Sequence, residues 1–266
     1  MPALPPLEVD ALREELPPPW RRIDVVAETG STNADLVARA VAGEDIDGSV
    51  LIAEHQTAGR GRHGRTWSAA PRTQIAMSVG VAAADVPTDA WSWLTLATGV
   101  AVVDAVVAQT HVAAGLKWPN DVLAGGGKLA GILSEVAAPT GLIVVGIGLN
   151  VALRDDDLPD PAATSLTQLG VATPDRTRLI SGLLRELGGR IAAWRAAGGA
   201  DDRLMCDYVE RSLTIGAQVR VMLPGGRELT GPARSVDQRG RLVVGAGDDT
   251  EAVSAGDVVH LRPIGD

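Results

Sequence analysis

Cysteine, aromatic residues and positive charge are all scarce in this 266-residue chain. The single cysteine, Cys206, excludes an internal disulfide framework and a thiolate zinc site, and it fits a reducing compartment. Phenylalanine is absent and there is one tyrosine, so the core must be built mainly from Val, Leu, Ile and Ala. The net charge of −9 opposes a general affinity for nucleic acid or for an anionic membrane.

Long apolar runs are also missing. The N-terminal segment MPALPPLEVDALREELPPPW lacks the basic start and apolar run of a signal peptide. The most apolar stretch, Ala90 to Val103, is too short to span a bilayer and is followed by Asp104. Hydrophobic residues make up 45% of the chain and charged residues 21%, which is typical of a globular protein. We therefore expect a cytoplasmic protein that binds neither nucleic acid nor membrane.

Hydrophobic periodicity divides the chain into two parts. In the first part it predicts helices after Ser31, over 94–107 and over 179–194, and strands at 23–27, 50–53, 75–81, 128–136 and 142–151. Thr32 and Asp35 resemble a capping box at the first of these helices. From about residue 213, short alternating runs separated by glycine-containing turns predict a β-barrel of about five strands. The predicted domains are 1–212 and 213–266.

The segment GRGRHGR at 59–65 combines three arginines with three glycines. Glycine lets a backbone approach a ligand and arginine suits phosphate or carboxylate, so the segment predicts a mobile loop that closes on an anion. A solvated basic turn is the alternative.

The segment also matches the dinucleotide fingerprint G-x-G-x-x-G. That interpretation is rejected because residues 65–68, with Pro71 soon after, do not open an apolar-faced helix.

Lys128 stands at the start of a buried-looking strand, which indicates either a ligand-binding lysine or a solvated strand end. It does not belong to a P-loop, because Leu129 follows it. In the next strand Gly146 and Gly148 share one face, so a ligand, another backbone or a tightly packed helix approaches there.

Two polar segments are open to more than one interpretation. Ser31 and Thr32 either only cap a helix or also lie where its free N–H groups meet a polar ligand. Asp121 is either a turn residue or part of a site.

Five segments, taken in order and spacing, resemble the biotin protein ligases: GSTN at 30–33, QTAGRGRHGRTW at 56–67, KWPND at 117–121, KLAGILSE at 128–135 and GIGLN at 146–150. The resemblance extends over about residues 22–266. It implies an α+β fold whose catalytic domain is related to class II aminoacyl-tRNA synthetases, with a mixed, largely antiparallel sheet. A small C-terminal SH3-like barrel is implied as well.

The resemblance implies a ligase that forms a C–N bond in two steps. Biotin and MgATP give biotinyl-5′-AMP, and biotin then passes to a lysine of the biotin carboxyl carrier domain of acyl-CoA or pyruvate carboxylases. A lipoate-type ligase of the same superfamily and a non-enzymatic regulator are the alternatives. The GRGRHGRTW and KWPND pair favours biotin, and the acidic balance opposes a regulator that binds nucleic acid. A monomer or weak homodimer is expected.

The family's roles carry over to matching positions of this chain. The implied biotin-binding residues are Ser31, Thr32, Gln56, Gly59, Arg60, Lys128, Gly131 and Gly146. The implied residues for ATP and the adenylate are Arg60, Arg62, Arg65, Trp67, Asn120, Lys128, Asn150 and Arg262. Lys128, Arg62 and Asp121 are the implied catalytic residues, with Asp121 orienting the acceptor lysine; no fixed metal ligand is predicted.

Two departures from the family pattern are visible. GST begins at residue 30, which leaves no room for the N-terminal winged helix of some members, so no repressor activity is expected. His63, within the segment 59–65, stands where an arginine is common in the family.

Overall fold

The structure is a computed structural model that describes residues 4–138, 141–153, 162–246, 249–254 and 256–261. Arg262, predicted at the nucleotide, lies outside the described residues. The strands of the larger sheet are β1 Arg22–Val26, β2 Ser49–Ala53, β3 Gln74–Ala82, β4 Ala114–Lys117, β5 Asp121–Ala124, β6 Gly127–Ala137 and β7 Leu142–Asn150.

These strands lie in the order β1-β2-β3-β7-β6-β5-β4. Only β1 and β2 pair in parallel, and every other neighbouring pair in this sheet is antiparallel. The prediction of a mixed, largely antiparallel sheet is confirmed. Its central strands β3, β7 and β6 are long; most residues of β3 and β7 are buried, whereas most residues of β6 are partly exposed.

Five helices are described: α1 Val9–Glu14, α2 Thr32–Val41, α3 Ser92–Thr110, α4 Arg176–Ala197 and α5 Asp202–Arg211. The predicted capping box of Thr32 and Asp35 is wrong, because the helix begins one residue earlier than this pair requires. Ser31 is the N-cap of α2, and its side chain accepts from the N–H of Ala34 at 3.4 Å. Asp35 instead accepts a hydrogen bond from the Thr29 hydroxyl at 2.6 Å.

Helix α3 covers one face of the larger sheet and packs against α4 on its other side. The apolar stretch expected to be too short to span a bilayer belongs to a longer segment: with the turn before α3, Thr88–Thr110 is long and apolar enough to cross a membrane by length and composition. However, 72% of its most apolar window is buried inside the protein, which is typical of a core helix.

A second, antiparallel sheet follows in the order β11-β10-β9-β8-β12. Its strands are β8 Gln218–Met222, β9 Glu228–Val236, β10 Leu242–Ala246, β11 Asp249–Val253 and β12 Asp257–His260. The prediction of about five strands is confirmed. The domain boundary near 212 stays a prediction.

Two buried tryptophans join the two sheets. The indole N–H of Trp93 donates to Asp237 O at 3.0 Å, and that of Trp118 donates to Gly240 O at 3.1 Å. Buried apolar residues of both sheets form one continuous cluster. The small sheet is therefore held against the larger one beside the site described next.

Candidate active site

A cavity of about 700 Å³ lies on the face of the larger sheet that α3 does not cover. It is bordered by the start of α2, the arginine loop (residues 59–67), the segment 117–121, strands β6 and β7, and the edge strand β12. The chain has only two lysines, Lys117 and Lys128, and both line this cavity.

The arginine loop is a tight hairpin closed by its own backbone. Gly61 N donates to Arg65 O at 2.7 Å, and Trp67 N donates to Gly59 O at 2.9 Å. Residues 62–64 form a single 3-10 turn with His63 at φ 57°, not the first turn of an α-helix. The rejection of the dinucleotide fingerprint is therefore confirmed by the backbone.

Each arginine of the loop contacts a different part of the protein. Arg60 pairs with Glu135 on β6 at 3.2 Å. Arg62 donates to Asn120 Oδ1 at 3.0 Å. Arg65 forms an ion pair with Asp257 on β12. A freely solvated basic turn is therefore excluded, because all three cations have partners outside the loop.

Burial lowers the pKa of Arg62, while the charges of Asp257 and Asp121 raise it in part. The guanidinium still remains charged at neutral pH because its ordinary pKa lies so high. Arg62 is thus a half-buried cation at the cavity wall that feels the charge of two carboxylates.

Lys128 lies in the same cavity, and its Nζ is 2.7 Å from Asp121 Oδ1. Both polar groups of its backbone are bonded to the segment 162–164: Lys128 N donates to Ala162 O at 2.6 Å, and Lys128 O accepts from Thr164 N at 2.9 Å. Asn150 Nδ2 also donates to Lys128 O, at 3.3 Å. Lys128 is therefore a positioned cation and not a solvated strand end.

A stripe of two glycines provides room for an indole ring. Gly131 on β6 and Gly148 on β7 are register partners, and a Cβ on Gly148 would lie 2.4 Å from the Trp67 ring. A Cβ on Gly131 would lie 3.2 Å from the same ring. Trp67 therefore lies flat against the sheet, with Lys128 Nζ 5.6 Å from its ring centre, which is a cation–π distance.

Gly146, on the same face of β7, lies under α2. A Cβ at this position would meet Asn33 Oδ1 at 2.2 Å. The glycines of this face therefore admit two side chains, Asn33 and Trp67, so the prediction of a close approach is confirmed.

The other end of the cavity is polar and almost fully buried. Gln56 Oε1 accepts from Thr32 N at 2.8 Å and from Thr32 Oγ1 at 3.0 Å. Thr32 Oγ1 is 2.7 Å from Ser78 Oγ, which donates to Asn33 Oδ1 at 2.6 Å. Because the Gln56 oxygen faces α2, its NH₂ group is directed away from Thr32 and can donate to a ligand.

The predicted residues that line the cavity are Ser31, Thr32, Gln56, Arg60, Arg62, Arg65, Trp67, Asn120, Asp121, Lys128, Gly131, Gly146 and Asn150. Gly59 is not among the lining residues. It is a buried residue at the start of the loop, where a Cβ would lie 2.2 Å from Trp67 O and 2.9 Å from Gln56 Nε2.

Sequence reasoning missed several lining residues, above all Asn33, Lys117, Asp257, Val258 and Val259. Lys117 and Asn33 lie inside quoted motifs, so those motifs were the available signal. No sequence signal indicated the three residues of β12, because their position depends on how the second sheet packs against the first. Among the described residues, no group of three or more His, Cys, Asp or Glu side chains gathers to hold a metal.

Comparisons with known proteins identify the family of the chain. Residues 31–150 match the model of the Biotin/lipoate A/B protein ligase family, and residues 214–261 match that of the Biotin protein ligase C terminal domain. The chain is 59% identical, over 264 residues and 97% of each chain, to the biotin--[acetyl-CoA-carboxylase] ligase of Mycobacterium tuberculosis.

Two solved structures share the fold. A biotin protein ligase from Aquifex aeolicus, in complex with biotin and ATP, superposes with a TM-score of 0.78 at 23% identity, over 92% of this chain and 100% of that one. The enzyme from Leishmania major, in complex with biotinyl-5-AMP, gives a TM-score of 0.62 at 26% identity, over 90% and 100% of the two chains.

The family match and the similarity to a curated ligase define the class, the biotin and lipoate protein ligases. Within that class, the chain belongs to the biotin protein ligase family.

Proposed function

We propose that this protein activates biotin with MgATP and then attaches it to a lysine of a biotin carboxyl carrier domain. The proposal rests on one observation: Lys128, the arginine loop and the buried polar end formed by Thr32 and Gln56 border one cavity. A compact ligand with a polar head and a carboxylate tail can therefore place its head at one end and its carboxylate beside the cations.

In the first step a carboxylate oxygen of biotin attacks the α-phosphorus of ATP. The bond from that phosphorus to the bridging oxygen breaks, and pyrophosphate leaves. Two anions must approach each other, so positive charge is required at the reacting atoms. Lys128 and Arg62 supply it, and magnesium enters with the phosphates as part of the substrate.

The arginine loop protects the product of the first step. Biotinyl-5′-AMP is a mixed anhydride that water hydrolyses, and a closed loop excludes water from it. Trp67, flat on the glycine stripe, offers a planar apolar surface to the adenine. Asn150, at the end of β7, lines the same cavity and donates to the Lys128 carbonyl.

In the second step a carrier lysine attacks the acyl carbon. The C–O bond to AMP breaks, an amide forms, and the attacking nitrogen loses a proton. Asp121 lies at the cavity wall beside Lys128, where a carboxylate can orient an incoming ammonium. We therefore assign Asp121 the orientation of the incoming ammonium and leave the removal of its proton to water.

The substrate is tested by ATP–pyrophosphate exchange. Biotin should drive exchange and lipoate should not. Labelled biotin should then pass to a purified biotin carboxyl carrier domain only when ATP is present. Exchange driven by lipoate alone would overturn the assignment of biotin.

The carriers are inferred to be those of acyl-CoA and pyruvate carboxylases. The cytoplasmic location and the monomeric or weakly dimeric state remain predictions, and sedimentation at several concentrations measures the latter.

A further inference from the structure

The arginine loop is held from both sheets at once. Arg60 and Arg62 contact Glu135 and Asn120, which belong to the larger sheet and the segment beside it. Arg65 reaches across to Asp257, which belongs to the smaller sheet. The loop is therefore closed over the cavity partly by a residue that lies more than 190 positions away in the chain.

Asp257 is well placed to act on the loop. It begins β12, the edge strand that borders the cavity, and its carboxylate acts electrostatically on Arg62 as well as pairing with Arg65. The other end of β12 is fixed to the larger sheet, because His260 Nε2 lies 3.0 Å from Thr214 Oγ1, which accepts from Trp118 N at 3.1 Å.

We propose that Asp257 is a positioning residue that holds the arginine loop closed over the adenylate, acting through Arg65. This inference rests on the proposed function and goes beyond it by assigning a role in the reaction to the smaller sheet. An exposed ion pair contributes little to folding stability. The side chains of Arg65 and Asp257 are 64% and 44% exposed, so the contact can break and reform without unfolding the protein.

The first test measures how well the protein retains its intermediate. Biotinyl-5′-AMP is formed on the enzyme without carrier, and its release and hydrolysis are followed after excess ligand is removed. Asp257→Asn should release it about fivefold faster than the parent. Asp257→Glu should restore retention, because the carboxylate is kept.

The chain offers a matched control in Glu251, which pairs with Arg227 on the same small sheet. Their side chains are 40% and 61% exposed, close to the values of the Asp257 pair, and neither residue lines the cavity. Glu251→Gln should retain the adenylate like the parent. All variants should melt within about 2 °C of the parent, as expected for exposed ion pairs.

The second test does not depend on activity. Trypsin cleaves after arginine, so cleavage after Arg60 and Arg62 reports opening of the loop. Asp257→Asn should be cleaved about fivefold faster and Glu251→Gln at the parent rate. In an Arg65→Ala background, Asp257→Asn should have a much smaller effect, because the ion pair is already gone and only the weaker action of Asp257 on Arg62 remains.

Parent-like retention and parent-like cleavage of Asp257→Asn would overturn the inference, as would an undiminished effect in the Arg65→Ala background. If the parent forms no biotinyl adenylate, the proposed function fails, and the trypsin comparison still decides whether Asp257 closes the loop.

Discussion

At the scale of single residues, the site depends on paired cations. Lys128 and Asp121 were both predicted to act, yet their ion pair was not. The pairing arises from the irregular register between β5 and β6, where Asp121 lies opposite Gly131 and Leu123 opposite Lys128. Motif spacing identifies such residues but does not contain the register shift that brings them together.

Lys128→Ala should lower biotin-dependent ATP–pyrophosphate exchange at least about a hundredfold, because removing one well-placed charge donor from a reacting centre costs about 3 kcal/mol. Exchange rates at saturating biotin and ATP provide the measurement. Lys128→Arg keeps the charge but not the compact ammonium, so it should recover only part of the loss. A Lys128→Ala variant within threefold of the parent would refute the role.

Asp121→Ala should spare adenylation more than transfer, because the carboxylate is assigned to the acceptor lysine. Pyrophosphate exchange measures the first step, and single-turnover transfer from isolated biotinyl-5′-AMP measures the second. Losses of equal size in both steps would argue against this division of roles.

At the scale of elements, the glycine stripe of β6 and β7 shapes the end of the cavity that we propose for the nucleotide. The alternation of Gly146 and Gly148 on one strand face could be read from the sequence, and so could the close approach it requires. That the approaching groups are Asn33 and Trp67 could not, because they come from elements distant in the chain.

Gly148→Ala should displace the Trp67 ring and raise the KM for ATP about tenfold, with a smaller effect on the KM for biotin. The reason is steric, since the new Cβ would lie 2.4 Å from the ring. Exchange kinetics with ATP varied give the KM. Gly189→Ala is the control: no atom lies within 4 Å of its added Cβ, and in helix α4 it should stabilise the protein by up to about 1 kcal/mol. An unchanged KM in Gly148→Ala would contradict the packing argument.

Most elements of the fold follow from periodicity. Helix α5 was not predicted, although its apolar residues Leu204, Met205, Tyr208 and Val209 recur at a helical spacing. Of these four residues only Leu204 and Tyr208 are buried. Tyr208 packs edge-on against Trp93, with ring centres 5.8 Å apart, a tertiary contact that stabilises the helix.

At the scale of the whole molecule, the two sheets share one core and meet around Trp118. His260 lies at this junction, 3.0 Å from Thr214 Oγ1. Burial, and secondarily the charge of Lys117, lowers the pKa of His260 below its ordinary value of 6.5. The folded protein therefore binds this proton less readily than the unfolded chain does.

The contribution of His260 to the free energy of unfolding should consequently be fully present above about pH 6.5. It should decrease as the pH falls toward the lower pKa of the folded state. Urea unfolding at pH 7.5 and 5.5 measures the change. His260→Gln should show a smaller decrease than the parent, whereas His63→Gln, at an exposed loop position, should behave like the parent. An identical decrease in all three proteins would exclude His260 as the source.

The placement of the only two lysines has a chemical consequence for the enzyme itself. An acyl adenylate that escapes reacts with primary amines, and this chain carries 24 basic residues of which all but two are arginines. Guanidinium groups do not accept the acyl group under such conditions, so nearly the entire basic surface is inert toward the enzyme's own product. Among the side chains, acylation of amines by the escaped product is thereby confined to the two lysines that line the cavity.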